Sequence, residues 1–286
     1  MGDFKKLSAH TCFGGTQYFY EHASEQIGLP MRFTLYLPPA ASFGPVPAVM
    51  YLAGLTCNEE TFAAKAGAQR IASELGLALM APDTSPRGTN VLGQADAWDF
   101  GVAAGFYLDA TQQPWATHWR MESYLLKELL AQLPQSFPID AKRLGIMGHS
   151  MGGHGALTLA LRHPQVFQSV SAFAPICAPT QCPWGRKALA GYLGADESLW
   201  QKHDATQLLL ARGCTLSDQA ILIDQGLSDK FLTEQLHPHL FKAACEQVGQ
   251  KLALNFHEGY DHGYYFVSSF MESHLRHHAA ALNPAL

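Results

Sequence analysis

The sequence has little charge and no long basic or apolar run. Charged residues make up only 15% of its 286 residues, and the formal net charge is −5. No run of lysine and arginine is longer than two residues, as at Lys5-Lys6, so the basic patches typical of proteins that bind nucleic acid or anionic membranes are missing. No apolar stretch approaches the roughly 18 residues of a membrane-spanning helix. We therefore expect neither a nucleic-acid partner nor a membrane partner.

Signals for export and for disulfide pairing are also missing. Residues 1–8 lack the apolar core of a signal peptide. No Cys-x-x-Cys motif occurs in the sequence. Without an export signal, free thiols in a reducing cytosol are the better interpretation, so the expected location is the cytoplasm. The scattered cysteines are Cys12, Cys57, Cys177, Cys182, Cys214 and Cys245.

The sequence does contain apolar segments of strand length that alternate with helical patterns, and its 48% hydrophobic content suffices for a large core. This alternation predicts an α/β fold with a mostly parallel sheet covered by helices on both faces. No repeat or linker interrupts it, so we predict one domain over residues 1–286. Predicted strands cover 12–20, 31–37, 47–52, 77–81, 143–147, 168–174, 220–224 and 252–257. Predicted helices cover 58–75, 122–132, 151–163, 237–247 and 264–281.

Two segments lack regular periodicity. Over residues 82–117 the lack of periodicity predicts a long ordered loop, and loops of this length in compact domains are often functional. Residues 177–214 predict an irregular insertion with short helices. In parallel α/β sheets the active site lies at the carboxyl ends of the strands, where loops of this kind begin.

The segment 148–152 carries the pattern Gly-x-Ser-x-Gly, which is typical of the nucleophile elbow of α/β-hydrolases. An apolar strand pattern precedes it and a helical pattern follows it, which is the context the motif requires. The tight turn needs Gly148 and Gly152 where larger side chains would clash. Ser150 would then lie at the N-terminus of a helix, whose positive end favours a developing oxyanion.

The other two members of a catalytic triad are expected after two late strands, in the order acid and then histidine. Asp229 follows the strand predicted at 220–224, and His262 follows the strand predicted at 252–257. The spacing of 33 positions between them leaves room for one helix and one strand. His262 would take the proton of the Ser150 hydroxyl, and Asp229 would fix the imidazole tautomer.

Several neighbouring residues compete for these roles or flank them. Asp224 is a rival acid at the end of its strand, and His257 is a rival base that still lies on its strand. His149 and His154 flank the serine in sequence, but a base so placed cannot easily face the serine hydroxyl, so we interpret them as packing residues. Asp261 is interpreted as a turn residue.

The oxyanion hole needs two backbone N–H groups. The first is expected from Met151, directly after the nucleophile, and the second from the loop that follows the strand 47–52. In that loop Gly54 allows a close backbone approach, and Leu55 is the expected donor. Cys57 lies at the head of the next helix, where a thiolate is favoured; a reactive thiol and an inert buried thiol both remain open.

Fourteen histidines raise the question of a metal site. His257-Glu258 begins like His-Glu-x-x-His, but His262 comes one position too late for the two histidines to share a helical face. His274, His277 and His278 are expected on a solvated face of the last helix. We therefore expect no metal.

Long segments of the chain, spread over nearly its whole length, resemble the S-formylglutathione hydrolase (esterase D) family. The resemblance implies an α/β-hydrolase fold and hydrolysis of S-formylglutathione to glutathione and formate, in the detoxification of formaldehyde. It also implies no cofactor, a cytoplasmic location and often a homodimer. Leu227-Ser228 departs from the family, in which a second acid often precedes the triad aspartate. The matching segments are 52–59, 83–88, 148–156, 182–188, 223–226, 229–232 and 258–266.

Carried over by motif position, the family triad falls on Ser150, Asp229 and His262. Because a formyl group is small, we expect a tight acyl pocket and hypothesise that Trp98 and Trp184 help to wall it, although both could be ordinary packing residues. Competing functions are a general carboxylesterase or acyltransferase on the same fold, or a catalytically inactive binding protein. The sequence does not assign the residues that bind the glutathione carboxylates; the candidates are Arg87, Arg186 and Lys187.

Overall fold

A nine-stranded sheet forms the centre of the computed structural model, which describes residues 4–216 and 220–283. The strand order is β1-β2-β3-β5-β4-β6-β7-β8-β9. Strands β4 to β9 pair in parallel, whereas β1, β2 and β3 add an antiparallel edge. The strands are β1 Lys5–Cys12, β2 Gly15–Ala23, β3 Pro30–Leu37, β4 Val46–Leu52, β5 Ala78–Pro82, β6 Ile139–His149, β7 Ser169–Phe173, β8 Ile221–Gly226 and β9 Leu252–His257.

Helices cover the sheet and connect its parallel strands, which confirms the predicted α/β fold. The central strands β4, β5 and β7 are buried along their whole length, as expected of strands covered on both faces. No helix among the described residues is long and apolar enough to cross a membrane. The helices are α1 Glu59–Lys65, α2 Gln69–Leu75, α3 Met121–Ser123, α4 Leu130–Ser136, α5 Met151–Arg162, α6 Pro183–Leu193, α7 Glu197–Trp200, α8 Ala205–Arg212, α9 Pro238–Val248 and α10 Tyr264–Leu282.

Two sequence-based boundaries were wrong. The strand predicted at 12–20 is the second arm of a hairpin, and its first arm β1 was missed because none of its side chains is fully buried. The single helix predicted at 58–75 is two helices, because Gly67 adopts φ +65° between α1 and α2. A left-handed residue of this kind ends the helical hydrogen-bond pattern.

The face of α10 that carries His274 and His278 is buried, so the expectation of a solvated face was wrong. Both side chains are fully buried against the sheet. His278 contacts the hydroxyl groups of Ser169 and Ser171 at 2.6 and 2.9 Å, and His274 contacts the Ser171 hydroxyl at 2.8 Å and an Asp224 carboxylate oxygen at 3.3 Å. These serines are as buried as the histidines, so this network supports the packing of α10 on the sheet and offers no substrate access.

Buried uncharged histidines make the fold sensitive to acid. Burial lowers the pKa of His154 to about 3, whereas a histidine of the unfolded chain titrates near about 6.5. Between these values the unfolded state binds the extra proton, so the stabilisation is present above about pH 6.5 and is lost as the pH falls. At about pH 5, His154 alone would lower the free energy of unfolding by about 2 kcal/mol.

We therefore expect His154→Gln to reduce the dependence of the free energy of unfolding on pH by about 1.2 kcal/mol per pH unit between about pH 5 and 6. Urea unfolding at several pH values measures this slope. Thr158→Ala is the matched control, because it removes a buried hydroxyl from the same helix but no titratable group, so it should keep the wild-type slope. An unchanged slope in His154→Gln would contradict the expectation.

Candidate active site

Ser150 lies on a strained turn between β6 and α5. Its backbone adopts φ 58° and ψ −119°, a conformation that residues other than glycine seldom occupy. The Ser150 N–H donates to the carbonyl oxygen of Phe173 at 3.0 Å, and the His154 N–H donates to the Ser150 carbonyl oxygen at 3.0 Å. The surrounding sheet and helix therefore hold the strained residue in place, as in a nucleophile elbow.

The two motif glycines are required by close backbone packing. A Cβ atom on Gly148 would overlap the carbonyl of Gly152. A Cβ atom on Gly152 would overlap the carbonyl of Leu52, at the end of β4. A side chain at either position would therefore force apart the elbow or the adjacent loop after β4. A Cβ atom on Gly54, in that loop, would come within 3.2 Å of the Ser150 Cβ, which shows how closely the loop approaches the serine.

Asp229 and His262 are joined by a short hydrogen bond, 2.5 Å from Oδ2 to Nδ1. The Asp229 side chain is fully buried, and its Oδ1 accepts the backbone N–H of Phe231 at 2.8 Å. The Ser228 N–H donates to the Tyr260 carbonyl oxygen at 2.9 Å, which ties the aspartate loop to the histidine loop. A Cβ atom on Gly226 would overlap the same Tyr260 carbonyl, so glycine is needed where the two loops meet.

The rival acid and base lie elsewhere. Asp224 accepts a hydrogen bond from Asn255 Nδ2 at 2.8 Å and contacts His274 at 3.3 Å, so its carboxylate belongs to the buried network below α10. His257 stacks on Phe270 with ring centroids 3.7 Å apart. Neither Asp224 nor His257 lines the cavity at Ser150.

A cavity of about 220 Å³ brings most of the predicted site residues together. It exposes the nucleophile candidate and the base candidate to the same space, while Asp229 lies buried behind the histidine. Sequence reasoning missed Phe231, whose ring packs at 4.7 Å from that of Trp184 and at 5.1 Å from that of His262. The cavity is lined by Gly54, Leu55, Thr56, Cys57, Trp98, His149, Ser150, Trp184, Phe231 and His262.

The two predicted oxyanion donors lie beside Ser150. The N–H groups of Leu55 and Met151 donate no hydrogen bond to another described residue, whereas the next N–H, of Thr56, donates to Ala103 at 3.0 Å. Leu55 lines the cavity, and Met151 is the first residue of the 12-residue helix α5. Free N–H groups at a helix N-terminus favour negative charge.

Trp98 and Trp184 form one wall of the cavity. Their rings meet edge to face with centroids 5.4 Å apart. Trp184 is 7% exposed and is anchored through its backbone N–H, which donates to Gln235 Oε1 at 3.1 Å. Trp98 is 56% exposed, so it covers the rim, whereas Trp184 limits the interior.

Burial favours the neutral thiol of Cys57 over the thiolate. It raises the pKa of Cys57, and hydrogen bonds from Thr61 and Tyr264 offset it only in part. All six cysteines are free.

His149 packs against the catalytic candidate His262, with ring centroids 4.5 Å apart. Burial first, and the neighbouring His262 second, lower the pKa of His149 well below its ordinary value, so it is neutral. His154 is also buried and packs on Phe106. His154 therefore occupies a packing position, and His149 packs behind His262 while it also lines the cavity.

The cations considered for carboxylate binding are engaged in ion pairs. From α6, Arg186 contacts Glu197 of α7 at 2.6 Å, and Lys187 pairs with Asp99 in the loop after β5. Arg87 Nε contacts Asp83 Oδ2 at 2.6 Å. Within residues 4–216 and 220–283, no group of three or more His, Cys, Asp or Glu side chains is placed to hold a metal ion.

Comparisons with known proteins show the family of this chain. The Esterase family matches residues 24–277, a range that includes Ser150, Asp229 and His262. A protein of Mus musculus named S-formylglutathione hydrolase is 51% identical over 280 residues, which cover 98% of this chain and 99% of the mouse protein. One from Arabidopsis thaliana with the same name is 52% identical and covers 97% of each chain. The structure of an S-formylglutathione hydrolase from Agrobacterium tumefaciens superposes with a TM-score of 0.94 at 46% identity, covering 98% of this chain and 100% of that one.

Proposed function

The chain belongs to the S-formylglutathione hydrolase family of esterases, and we propose that it hydrolyses S-formylglutathione to glutathione and formate. The observation that carries this proposal is the joint placement of Ser150 and His262 in one small cavity, with Asp229 bonded to the histidine from behind. A chain that uses its fold only for binding has no need to keep all three groups together. The chemistry is a two-step acyl transfer.

In the first step Ser150 attacks the formyl carbon of the thioester. His262 Nε2 accepts the hydroxyl proton, and Asp229 holds Nδ1 protonated and stabilises the imidazolium. The carbonyl oxygen becomes an oxyanion, which the N–H groups of Leu55 and Met151 stabilise. The tetrahedral intermediate then expels the glutathione sulfur, which takes up the proton held by His262, and leaves formyl-Ser150.

In the second step His262 takes a proton from water, and the water oxygen attacks the formyl-Ser150 ester. Collapse of this second intermediate breaks the bond to Ser150 Oγ, which recovers its proton from His262, and formate is released. The buried Asp229 carboxylate and the donors beside Ser150 serve both steps without moving. All groups of the mechanism belong to the chain, so the proposal needs no cofactor. A cytoplasmic location and a homodimer remain predictions.

The small cavity implies a preference for short acyl groups. We expect Trp184→Ala to raise kcat/KM for a butyryl aryl ester by about tenfold relative to the acetyl ester, because one or two extra methylenes are worth about 1–3 kcal/mol in such a pocket. Trp200→Phe, a change at another buried tryptophan outside the cavity, is the control. An unchanged chain-length preference in Trp184→Ala would remove this residue from the acyl pocket.

Steady-state kinetics on two substrates tests the proposed function. We expect kcat/KM for S-formylglutathione to exceed that for p-nitrophenyl acetate by about two orders of magnitude or more, because the thioester and the contacts to glutathione both favour the transition state. Equal or reversed values would identify a general carboxylesterase on the same fold.

A further inference from the structure

A second cavity, of about 530 Å³, lies beside the Ser150 cavity and carries both signs of charge. Its acidic and basic groups come from β2, from the start of β3, from the loop after β5 and from the start of α1. Nothing in the mechanism above uses it. A cavity with carboxylates and guanidinium groups facing each other is suited to a ligand that is itself a zwitterion. Its charged lining residues are Glu21, Arg32, Glu59, Asp83 and Arg87.

The second cavity lies within reach of the serine. Strand β4 pairs with both β5 and β6, so Asp83 and Ser150, which follow those two strands, are separated by two strand spacings, about 10 Å. Thr56 and Cys57 line the first cavity, and the next two residues, Asn58 and Glu59, line the second. The loop after β4 therefore forms a wall shared by the two cavities.

Glu59 is a buried carboxylate without a partner side chain. The residue is 5% exposed, lies at the first position of α1 and lines the second cavity. Its carboxylate accepts a hydrogen bond from its own backbone N–H and feels the charge of Arg32, but it makes no hydrogen bond or ion pair with another side chain among the described residues. Burial first, and the neighbouring Asp83 next, raise its pKa. A buried carboxylate that no side chain bonds directly is costly, and an ammonium group entering the cavity would relieve that cost.

Arg87 has donors left for an anion on the same ligand. Its Nε and Nη2 donate to Asp83 at 2.6 and 2.8 Å, and Nη2 also donates to the carbonyl oxygen of Cys57 at 3.0 Å. Neither N–H of Nη1 has a partner among the described residues, although a guanidinium carries five donors. The two bonds to Asp83 and the one to Cys57 fix the orientation of this group at the wall between the cavities.

We propose that the second cavity binds the amino-acid end of the γ-glutamyl residue of glutathione, with its ammonium group on Glu59 and its carboxylate on Arg87. This inference rests on the proposed function, which supplies the substrate class. The eight covalent bonds between the thiol sulfur and the γ-glutamyl nitrogen span at most about 10 Å, which matches the separation of the two strand ends. Arg186 and Lys187, which form ion pairs outside α6, line neither cavity and take no part.

This assignment is tested by comparing wild type and one variant on two substrates, one of which lacks the group that Glu59 would bind. The substrates are S-formylglutathione and its analogue with glutaryl in place of γ-glutamyl, which has the same length and the same terminal carboxylate but lacks the ammonium group of the amino-acid end. We expect Glu59→Gln to raise KM for S-formylglutathione about tenfold with little change in kcat. The variant should not raise KM for the analogue further, because the analogue has nothing to place on Glu59.

Glu60→Gln is the matched control, since Glu60 is the neighbouring exposed acid of the same helix turn and does not line the second cavity. It should leave KM for both substrates at the wild-type value. If Glu59→Gln raises KM for both substrates equally, or for neither, the assignment is wrong.

Inhibition by S-methylglutathione separates this inference from the proposed function. Its inhibition constant against p-nitrophenyl acetate hydrolysis requires no thioester turnover, and we expect Glu59→Gln to raise it about tenfold relative to wild type and Glu60→Gln. A wild-type enzyme that fails to hydrolyse S-formylglutathione overturns the proposed function. A wild-type enzyme that hydrolyses it, with an inhibition constant unmoved by Glu59→Gln, overturns only the second cavity as the subsite.

Discussion

Replacing Ser150 by alanine is expected to lower kcat for S-formylglutathione by about 10⁴- to 10⁶-fold, the range in which loss of a triad nucleophile falls. Without the hydroxyl no acyl-enzyme forms. The residual rate would come from the oxyanion donors at Leu55 and Met151 and from substrate binding. Because triad members act as a unit, Ser150→Ala combined with His262→Ala should be little slower than either single variant.

The structure predicts that this loss is chemical and not a failure to fold. Alanine fits wherever the Ser150 side chain fits, and the turn is held by backbone hydrogen bonds to Phe173 and His154 that the change leaves in place. The melting temperature should therefore stay close to wild type, and KM should change far less than kcat. Ser273→Ala, at an exposed serine of α10, is the control. Wild-type turnover by Ser150→Ala would refute the mechanism.

The second large effect is expected for Asp229→Asn, which should lower kcat by about 10⁴-fold. The carboxylate accepts from His262 Nδ1 at 2.5 Å and so keeps Nε2 free to accept the serine proton. An asparagine can present an N–H to the same ring nitrogen, which favours the wrong tautomer and gives no charge to stabilise the imidazolium. Steady-state measurement of kcat on S-formylglutathione gives the size of this loss, and circular dichroism shows whether the variant is folded.

Asp224→Asn is the matched comparison, since this acid lies on the same strand end and was the rival assignment. Its carboxylate is bonded to Asn255 and to His274, on the face of the sheet covered by α10. We expect the variant to lose about 1–3 kcal/mol of stability, because buried partners lose an acceptor, while kcat stays within about tenfold of wild type. A larger catalytic loss in Asp224→Asn than in Asp229→Asn would reverse the assignment.

The sequence predicted the catalytic loops because each follows a strand with a strong pattern. The strand predicted at 252–257 is Leu252–His257 in the structure, and the predicted strand at 143–147 lies inside Ile139–His149. Residues in the turns after these strands predicted the candidate site residues. A tight turn requires glycine at 148 and 152, and triad partners are expected in loops after late strands. Both requirements can be recognised in a single sequence.

What the sequence failed to predict depended on long-range contacts or on weak patterns. The edge strand Lys5–Cys12 has no buried face and so no alternation to detect. His274 and His278 were expected in solvent, although their spacing places them on one helical face with the apolar residues Met271 and Leu275. That signal was available. The lining role of Phe231 and the burial of Glu59 beside the second cavity had no sequence signal, because both arise from how separate loops meet.

Peptide mapping after a rapid acid quench tests the central claim most directly. Enzyme mixed with S-formylglutathione and quenched during turnover should carry one formyl group, on the peptide that contains Ser150, and Ser150→Ala should carry none. Cys57 lines the same cavity and is the alternative nucleophile that the map would reveal. A formyl group on Cys57, or turnover at the wild-type rate by Ser150→Ala, would contradict the assignment of Ser150 as the nucleophile.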